Sequence, residues 1–388
     1  MLILYGILFL FSLYVLFIIF LRVRHPYWSK QPVYHRHKLR YRFYQPGMLK
    51  NEPAEKDRYV DLKNIQFHTF EQSETIDRLS VFLNSHYKNS PGLVFNPSSK
   101  DISDYNNAVK ENAHISFLQH THLSCENTGK TVLESEIDIG TITTRPVNIT
   151  ITNSHLNVQL VDLLCVHPLY RTRYQVPKLI QTHKYQLEKK RGSAQIYLFK
   201  NEDHHSFGII PFCQCTNYVF DMFSWKTPTK LGQEKILELS DCSSDILTDT
   251  VMSSKFKNKI YFDPFTMRQL IKNGNIHVYC LKVPNKVLGV YIFKRSCARY
   301  KGESIFECIS SIKYCNTDLF LCGFHHASYL CCVKNRYKFL VIEGVSNNNI
   351  IIKKILSSKP CMNKYTVSYY FYNYITMSIR PEDVLLVI

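Results

Sequence analysis

The segment whose residue types best suit ligand binding or catalysis is residues 164–177, which is basic and rich in hydrogen-bonding side chains. Arg171 and Arg173 lie in a polar loop that follows an apolar stretch and precedes a helix start with an early proline. The free N–H groups and the dipole of a helix start favour an anion, to which the arginines add positive charge. Where the strand splays, the amides of Leu163 and Leu164 could bind a carbonyl. The pattern predicts either a phosphate-binding site or a solvated basic surface.

Three elements must position this loop. Alternating apolar residues predict a strand over 156–166, and its second apolar face places it inside a sheet. A helix is expected from Val176 to Gly192, which follows three basic residues, and a further strand covers residues 194–199. Strand, loop, helix and strand then form one α+β unit.

The rest of the chain repeats this alternation more weakly. Helices are expected over residues 76–87 and 265–272, and another should end near residue 334. Residues 88–130 are polar and indicate turns. Strands are expected near residues 131–140, 145–152, 276–281, 287–293, 339–344 and 365–374, and residues 384–388 form a fully apolar end. The prediction is an α+β fold with two tandem halves.

The N-terminal segment predicts a membrane anchor. Residues 2–21 carry no charge, and about 20 helical residues span the roughly 30 Å of a bilayer core. No basic region precedes the segment and no small-x-small cleavage site follows it, which argues against a signal peptide. Basic residues then follow without an acidic one until Glu52, so the positive-inside rule places the body in the cytosol.

Charge and cysteine content indicate the partners and the compartment. The formal net charge is +17, and the basic cluster after the anchor would attract anionic lipid headgroups. The other basic residues are dispersed, so nucleic acid is not an expected partner. Thirteen scattered cysteines indicate free thiols in a reducing compartment, although the sequon Asn148-Ile149-Thr150 leaves a luminal orientation open. No ligand spacing for zinc appears, so no metal is expected.

Two segments resemble the N-myristoyltransferase family. Residues 164–177, Leu-Cys-Val-His-Pro-Leu-Tyr-Arg-Thr-Arg-Tyr-Gln-Val-Pro, are similar to its coenzyme A signature. Residues 27–33, Tyr-Trp-Ser-Lys-Gln-Pro-Val, resemble a stretch that wraps the acyl-CoA near the N-terminus of those enzymes. Residues 83–87 and 369–374 also resemble a family helix and the last core strand. The resemblance runs from about residue 25 to the end, although the aromatics near Trp28 would equally suit an interfacial belt.

The resemblance implies a double GNAT-like fold, which here follows the transmembrane helix predicted from the apolar N-terminal segment; known members of the family lack such a helix. Residues 2–21 are then the transmembrane anchor, and residues 22–60 are a basic aromatic segment that contributes to acyl-CoA binding. Residues 61–215 form the first GNAT-like half with the CoA loop. Residues 216–388 form the second half, which carries the acceptor pocket and the C-terminal carboxylate.

The resemblance also implies which residues act. Those matched to the acyl-CoA site are Tyr27, Trp28, Gln31, Pro32, Val33, Leu164, Cys165, Val166, Arg171, Thr172, Arg173, Tyr174, Gln175 and Val176. Those assigned to the acceptor are Tyr87, Phe95, Tyr370, Tyr372 and Asn373. The amides of Leu163 and Leu164 would form an oxyanion hole. The family's general base is the terminal carboxylate, here that of Ile388, whose pKa should rise when it is buried.

The expected function is therefore a membrane-anchored acyltransferase. It would move a long-chain acyl group from its CoA thioester, such as myristoyl-CoA, to an amine, with the N-terminal glycine of a protein or peptide as acceptor. Two departures affect the acceptor half. The family's Gly-Asp-Gly is Asn363-Lys364-Tyr365 here, and the acidic run after Tyr87 is replaced by Lys88-Asn89-Ser90-Pro91.

The alternative is a catalytically inactive relative that keeps the fold as a membrane or structural component. The many Ile, Asn, Lys and Tyr residues indicate an A+T-rich genome. Together with the divergence from the family, this favours a large DNA virus as the source. A virion membrane or a host membrane would then be the location of the protein.

Overall fold

The computed structural model describes residues 1–38, 41, 43, 45–70, 73–87, 93–109, 113–125, 132–152, 154–171, 174–202, 208–223, 225–239, 244–284, 286–335 and 337–388. Thr172 and Arg173 of the predicted CoA loop, and residues 88–91, lie outside these ranges.

The helices and strands alternate along the chain. The helices are α1 (Leu2–Arg24), α2 (Ser73–His86), α3 (Ser99–Asn107), α4 (Gln175–Arg191), α5 (Asp245–Ser253), α6 (Pro264–Lys272), α7 (Thr317–Asn335) and α8 (Asn348–Leu356). The strands are β1 (Gly47–Met48), β2 (Ile65–Thr69), β3 (Leu93–Phe95), β4 (His114–Cys125), β5 (Val132–Ile151), β6 (Ser154–Val166), β7 (Tyr197–Asn201), β8 (Cys213–Asp221), β9 (Lys235–Glu238), β10 (Asn258–Tyr261), β11 (Ile276–Val283), β12 (Lys286–Tyr300), β13 (Glu303–Lys313), β14 (Phe339–Glu343), β15 (Asn363–Tyr372), β16 (Tyr374–Ile375) and β17 (Val384–Val387).

One large sheet runs through both halves of the described chain. Its strand order is β17-β10-β5-β6-β7-β15-β8-β14-β13-β12-β11-β9. Off this path, β4 pairs with β5, β2 pairs with β4, and β3 pairs with β12. β10 and β17 come late in the chain but pair beside β5, and β15 lies between β7 and β8. The two halves therefore share strands.

The same unit occurs once in each half. β6, α4 and β7 form a strand, a helix and a second strand parallel to the first, and β13, α7 and β14 repeat that order. The parallel pairing is short in both cases: Gln159–Val161 pairs with Tyr197–Phe199, and Ile305–Cys308 pairs with Phe339–Ile342. This repetition is the structural basis of the tandem halves.

Helix α4 shows why the first unit forms as predicted. It buries Leu179, Ile180 and Leu187 on the side that also carries His183, and it ends at Gly192 in a left-handed conformation (φ 68°). The His183 ring is hydrogen-bonded by the hydroxyls of Ser116 at 2.8 Å and Thr144 at 2.9 Å. Burial lowers the pKa of His183 to about 3, so this imidazole is neutral in the folded protein.

Two stretches differ from the sequence prediction. The strands expected near 131–140 and 145–152 are one 20-residue strand, β5. The stretch 88–130 is not only turns, because it contains β3, α3 and β4. The polar helix α3 depends on its capping box, in which the Ser98 hydroxyl accepts from the Asp101 amide and the Asp101 carboxylate accepts from the Ser98 amide.

The N-terminal helix α1 is the one helix among the described residues that is long and apolar enough to cross a membrane. At 23 residues it is about 35 Å long. The chain then folds back, since the Tyr14 hydroxyl donates to the His37 carbonyl oxygen at 2.9 Å. The sequon residue Asn148 lies within β5, paired with β6 on one side and β10 on the other. That position does not suit a glycan.

Candidate active site

A β-bulge lies where the sequence predicts that β6 splays. Thr141 pairs with Cys165 and Thr143 pairs with Asp162, so Leu163 and Leu164 together oppose one residue of β5. Leu163 has φ 50°, a left-handed backbone that costs a non-glycine residue roughly 1–3 kcal/mol. Pairing of β6 with β7 has already ended at Val161. The bulge therefore turns this backbone away from the sheet.

One of the two predicted oxyanion donors already has a partner. The Leu163 amide donates to Oδ1 of Asp162 at 2.9 Å, and the same carboxylate accepts from Arg145 at 2.7 Å. The Arg145 guanidinium stacks on the Tyr105 ring at 3.9 Å. Burial alone would raise the pKa of Asp162, but Arg145, Lys294 and the Leu163 amide outweigh it and hold the pKa below its usual value.

A cavity of about 900 Å³ contains this bulge in its wall. Its first part, here called the apolar lobe, is lined by residues of the hydrophobic cluster around α4. These are Trp28, Val33, Val161, Leu164, Val166, Val176, Ile180, Phe199, Ile209, Tyr370 and Tyr372. The volume lies within the usual range for small-molecule sites, and an apolar lining suits an alkyl chain.

The second part of the cavity, here called the charged lobe, carries ionic and polar groups. Its lining is Asn275, Lys294, Arg295, Ser296, Glu307, Glu343, Asn363, Tyr365, Lys200 and Glu202. Lys200 Nζ lies 3.7 Å from a carboxylate oxygen of Glu343 and 3.7 Å from one of Glu202. Burial raises the pKa of Glu343 above its usual range, and the Lys200 charge acts in the opposite direction.

The C-terminus lies at the same cavity. Ile388 is 8% exposed and lines it. β17 pairs with β10 in parallel, and the Leu386 amide donates to the Ser310 hydroxyl on β13 at 3.4 Å. The end of the chain is therefore fixed by both neighbouring strands.

The residues predicted for the acceptor divide into two groups. Tyr87 and Phe95 line the cavity with ring centroids 4.6 Å apart, whereas Tyr370 and Tyr372 on β15 line its apolar lobe and not a separate acceptor region. Asn373 is buried behind it with φ 65°, where its amide group donates to the carbonyls of Lys50 (2.9 Å) and Gln195 (3.2 Å). Those bonds give Asn373 a role in holding the chain, and it does not line the cavity.

The residues predicted for acyl-CoA divide likewise. Those that line the cavity are Trp28, Val33, Leu164, Cys165, Val166, Arg171 and Val176. Tyr27 is buried behind Trp28, with ring centroids 5.1 Å apart, and the Tyr372 hydroxyl donates to the Gln31 side chain. The Pro32 carbonyl accepts from the Asn373 amide at 2.7 Å. These three residues support the wall of the apolar lobe.

The loop before α4 brings its described arginine to the cavity rim. Arg171 Nε donates to the Val166 carbonyl at 2.8 Å, and its terminal nitrogen donates to the His86 carbonyl at 3.0 Å. Arg171 thus joins the end of β6 to the end of α2. Tyr174 is exposed at the cap of α4, and Gln175 is the first residue of that helix.

Sequence reasoning did not assign the charged residues of the cavity. Arg145, Asp162, Lys200, Lys294 and Glu343 come from five different strands, so no local motif joins them. The sequence signal that could have identified them is a charged residue inside or at the end of an apolar strand. Asp162 is one example, and Glu343 at the end of Phe-Leu-Val-Ile-Glu is another. Within the part of the chain that the structure describes, no cluster of three or more His, Cys, Asp or Glu side chains could hold a metal ion.

This chain is similar to known proteins in its fold but not in its amino-acid sequence. No family model and no curated protein sequence matches the chain. A structure of Saccharomyces cerevisiae N-myristoyltransferase with bound myristoyl-CoA has a TM-score of 0.72 at 13% identity, covering 94% of this chain and 94% of that chain. A second such structure has a TM-score of 0.69 at 13% identity, covering 94% of this chain and 99% of the other.

A third structure of the yeast enzyme, with myristoyl-CoA and inhibitors, has a TM-score of 0.71 at 13% identity over 92% of this chain and 91% of that chain. At this identity the likeness shows the fold alone. The predicted fold class is confirmed: the chain has an α+β, double GNAT-like fold similar to that of N-myristoyltransferase.

Proposed function

We propose that this protein is an acyltransferase that transfers a long-chain acyl group from acyl-CoA to an amine, with an N-terminal glycine as the acceptor. The observation that carries the proposal is one cavity that joins an apolar lobe, the Leu163–Leu164 bulge and the terminal residue Ile388. Alkyl binding, carbonyl binding and proton acceptance are the three tasks that amide formation from a thioester needs.

Acyl-CoA would occupy the first half of the cavity. The apolar lobe suits the alkyl chain, with myristoyl as the length that the fold likeness favours. The CoA phosphates would lie toward Arg171 and the start of α4, where helix N–H groups favour anions. Thr172 and Arg173 belong to the same proposed site, although their placement lies outside the described residues.

In the proposed reaction the acceptor nitrogen attacks the thioester carbonyl carbon. The C–N bond forms and the C–S bond breaks. The nitrogen loses a second proton as the amide forms, and the leaving sulfur takes up that proton to become the CoA thiol. The terminal carboxylate of Ile388 takes the proton that the ammonium group must lose before attack. The Leu164 amide, and the Leu163 amide once released from Asp162, would stabilise the carbonyl oxygen as it gains negative charge.

The anchor helix would hold this site at a membrane. Only His25, Pro26 and Tyr27 separate α1 from Trp28, which lines the apolar lobe. We propose a single-pass protein with its body in the cytosol, because the residues after α1 are basic. In that arrangement Tyr14 lies inside the bilayer, so its hydrogen bond to the His37 carbonyl would be broken. Donor or acylated product would then bind close to the lipid surface.

A specific observation favours the catalytically inactive alternative as the second candidate. The Leu163 amide is bonded to the neighbouring Asp162 carboxylate, which would have to move before both amides could bind a carbonyl. In that case the protein would keep the fold, and an acyl-CoA pocket, as a membrane component. A viral source stays a prediction from composition.

Moving the terminal carboxylate separates these two candidates. Full-length protein in nanodiscs is incubated with myristoyl-CoA and a glycine-initiated peptide, and acylated peptide and free CoA thiol are quantified. Adding one alanine after Ile388 moves the carboxylate by about 3.3 Å or more and should abolish transfer but leave myristoyl-CoA binding intact. The matched control Ile388→Ala keeps the carboxylate in place and should retain transfer. Acyl transfer by the extended variant would refute the catalytic role of the Ile388 carboxylate. Absence of acyl transfer by the wild-type protein would favour the inactive alternative.

A further inference from the structure

The side of the sheet away from the cavity carries a set of exposed lysines. On β8, Val219 lines the cavity, whereas its neighbours Tyr218 and Phe220 belong to the hydrophobic cluster that packs under α7 and α8. The lysines exposed on the α7 and α8 side define what is here called the basic face: Lys226, Lys230, Lys353, Lys354 and Lys364. Lys364 belongs to this side because it pairs with Tyr218.

Direct contacts join the segments that form the basic face. The Nε2 of His325 on α7 donates to the Lys226 carbonyl at 2.9 Å, and its ring lies 5.7 Å from that of Trp225. Lys359, which follows α8, places its Nζ 5.7 Å from the centroid of the Trp225 ring. The loop after β8, the helix α7 and the chain after α8 therefore form one continuous surface.

The charge of this surface is predominantly positive. Residues 221–235, 317–335 and 348–366, which supply it, contain eight lysines and no arginine. The acidic residues in the same ranges are Asp221, Glu234 and Asp318, which leaves a formal net charge of +5. At its border, Lys338 and Glu303 pair with each other at 3.7 Å, so they do not change this excess. A polyanion is therefore the expected partner.

Exposed apolar side chains lie among these lysines. They are Phe223 (89% exposed), Leu330 (44%), Leu356 (39%) and Met362 (45%). The Met362 amide donates to the Val219 carbonyl at 2.8 Å, which holds Met362 beside β8. Apolar side chains among lysines are typical of protein surfaces that enter the headgroup layer of a bilayer. Each lysine near an anionic bilayer strengthens binding roughly fivefold.

The residue types favour lipid over nucleic acid as the polyanion. Arginine binds phosphates in a fixed bidentate geometry and is preferred in nucleic-acid recognition, whereas lysine acts as a point charge. The absence of arginine from the three ranges therefore suits headgroups. Aliphatic side chains such as Leu356 and Met362 gain free energy in the acyl-chain region but offer no aromatic ring on which a base could stack.

Strand β15 fixes the distance between the basic face and the anchor. It begins at Asn363, next to Lys364, and its last residue, Tyr372, pairs with Val33, five residues after Trp28. At about 3.3 Å per residue, the two ends of β15 lie about 30 Å apart. Contact with the bilayer at both ends would lay β15 along the membrane and would stop the body from pivoting about residues 25–27.

We propose that the basic face docks on anionic lipid of the same bilayer in which α1 is anchored. The lysines bind headgroup phosphates and carboxylates, and Phe223, Leu356 and Met362 enter the boundary with the acyl chains. Docking then fixes the orientation of the body on the membrane. The inference rests on the proposed anchor and is independent of the proposed acyl transfer.

The two tryptophans of the chain make this docking measurable. Trp28→Phe leaves Trp225 as the one indole, and acyl-chain-brominated lipid quenches an indole that lies close to the bilayer. Full-length Trp28→Phe protein is placed in brominated nanodiscs with or without phosphatidylserine, and unbrominated discs give the reference. Trp225 should be quenched in the discs with phosphatidylserine and much less in the uncharged discs. Raising the salt concentration from about 0.1 M to about 1 M shortens the Debye length from about 10 Å to about 3 Å and should remove the quenching.

Variants then assign the quenching to the basic face. Replacing Lys353, Lys354 and Lys364 together by glutamine should lower the docking equilibrium constant roughly 100-fold. The matched control replaces three exposed lysines in and near α5 and α6 and should keep the quenching: Lys255→Gln, Lys257→Gln and Lys272→Gln. Phe223→Ser should weaken docking roughly tenfold, which gives a second test if the triple variant folds poorly.

The outcomes separate this inference from the other proposals. Equal quenching in charged and uncharged discs, or quenching that survives the triple substitution, would overturn it. So would an unquenched Trp225 in a protein that binds separate phosphatidylserine vesicles or an oligonucleotide, because the face would then serve another bilayer or a nucleic acid. Loss of the protein from uncharged discs at about 1 M salt would contradict the proposed anchor and, with it, this docking. The acyl-transfer assay described above tests the proposed reaction separately.

Discussion

Narrowing the apolar lobe should change which acyl chain the protein binds. Ile180 of α4 is buried and lines this lobe. Each methylene moved from water into an apolar site contributes about 0.8 kcal/mol, or roughly fourfold in affinity. Extending the chain from decanoyl-CoA to myristoyl-CoA adds four methylenes, about 3 kcal/mol, so wild-type affinity should rise roughly 200-fold across this series.

The substitution Ile180→Phe adds about three carbon atoms to the side chain and should exclude about two methylenes of the ligand. Myristoyl-CoA should then bind roughly 15-fold more weakly, from about 1.6 kcal/mol, while decanoyl-CoA binding should be unchanged. Isothermal titration of the full-length protein in nanodiscs with both ligands measures the ratio. Thermal unfolding of each variant shows whether the larger side chain costs stability, since overpacking costs about 1–3 kcal/mol.

The matched control is Ile309→Phe, the same change at a residue of β13 that lines the cavity outside the apolar lobe. It should leave the affinity for both acyl-CoA ligands unchanged. Equal weakening of decanoyl- and myristoyl-CoA by Ile180→Phe would refute the assignment of the apolar lobe to the alkyl chain. So would wild-type affinity that does not depend on chain length.

Three further predictions concern stability. Arg145→Met removes the cation beside Asp162 and should lower the free energy of unfolding by about 2 kcal/mol. The loss is smaller than for a fully buried ion pair because the Asp162 carboxylate is 43% exposed. An unchanged urea midpoint would contradict this prediction. Gly344→Ala should cost about 1–3 kcal/mol in the same assay because its Cβ would meet the Thr216 carbonyl, and a neutral result would show that β14 can shift. Wild-type stability should fall as pH drops below about 6.5, because His183 binds a proton when unfolded and, with its folded pKa lowered to about 3, stays neutral when folded. His183→Gln should reduce this slope between about pH 6 and 4 by up to about 1.4 kcal/mol per pH unit, and an identical slope would exclude His183 as a contributor.

Local sequence patterns were sufficient to predict those helices and strands whose structure is determined by their own few residues. The alternation in β6, the proline near the start of α4 and Gly192 at its end predicted the first strand–helix unit, because each signal acts within a few residues. The tandem α+β halves followed from the same kind of signal. The capping box of α3 was present in the sequence as Ser98 and Asp101, but the helix is polar and was therefore predicted as turns.

The candidate site was only partly predictable, since its parts meet through long-range strand pairing. The sequence predicted that β6 splays at Leu163 and Leu164, and several residues matched by the resemblance line the cavity, whereas the charged residues of the cavity were not predicted. Glu343 and Lys200 are far apart in the chain, and β15 and β8 separate their strands in the sheet, yet their side chains approach to 3.7 Å in the cavity. The bond between Asp162 and the Leu163 amide depends on a left-handed backbone that no composition signal predicts.

The most direct test of the account is whether the cavity binds a long-chain acyl-CoA. Full-length protein in nanodiscs is titrated with myristoyl-CoA, with CoA alone and empty nanodiscs as controls, and the heat of binding is measured. The account predicts saturable binding with one ligand per chain at micromolar or lower concentration, and much weaker binding of CoA. No binding of myristoyl-CoA at about tens of micromolar, above its partition into empty nanodiscs, would contradict it.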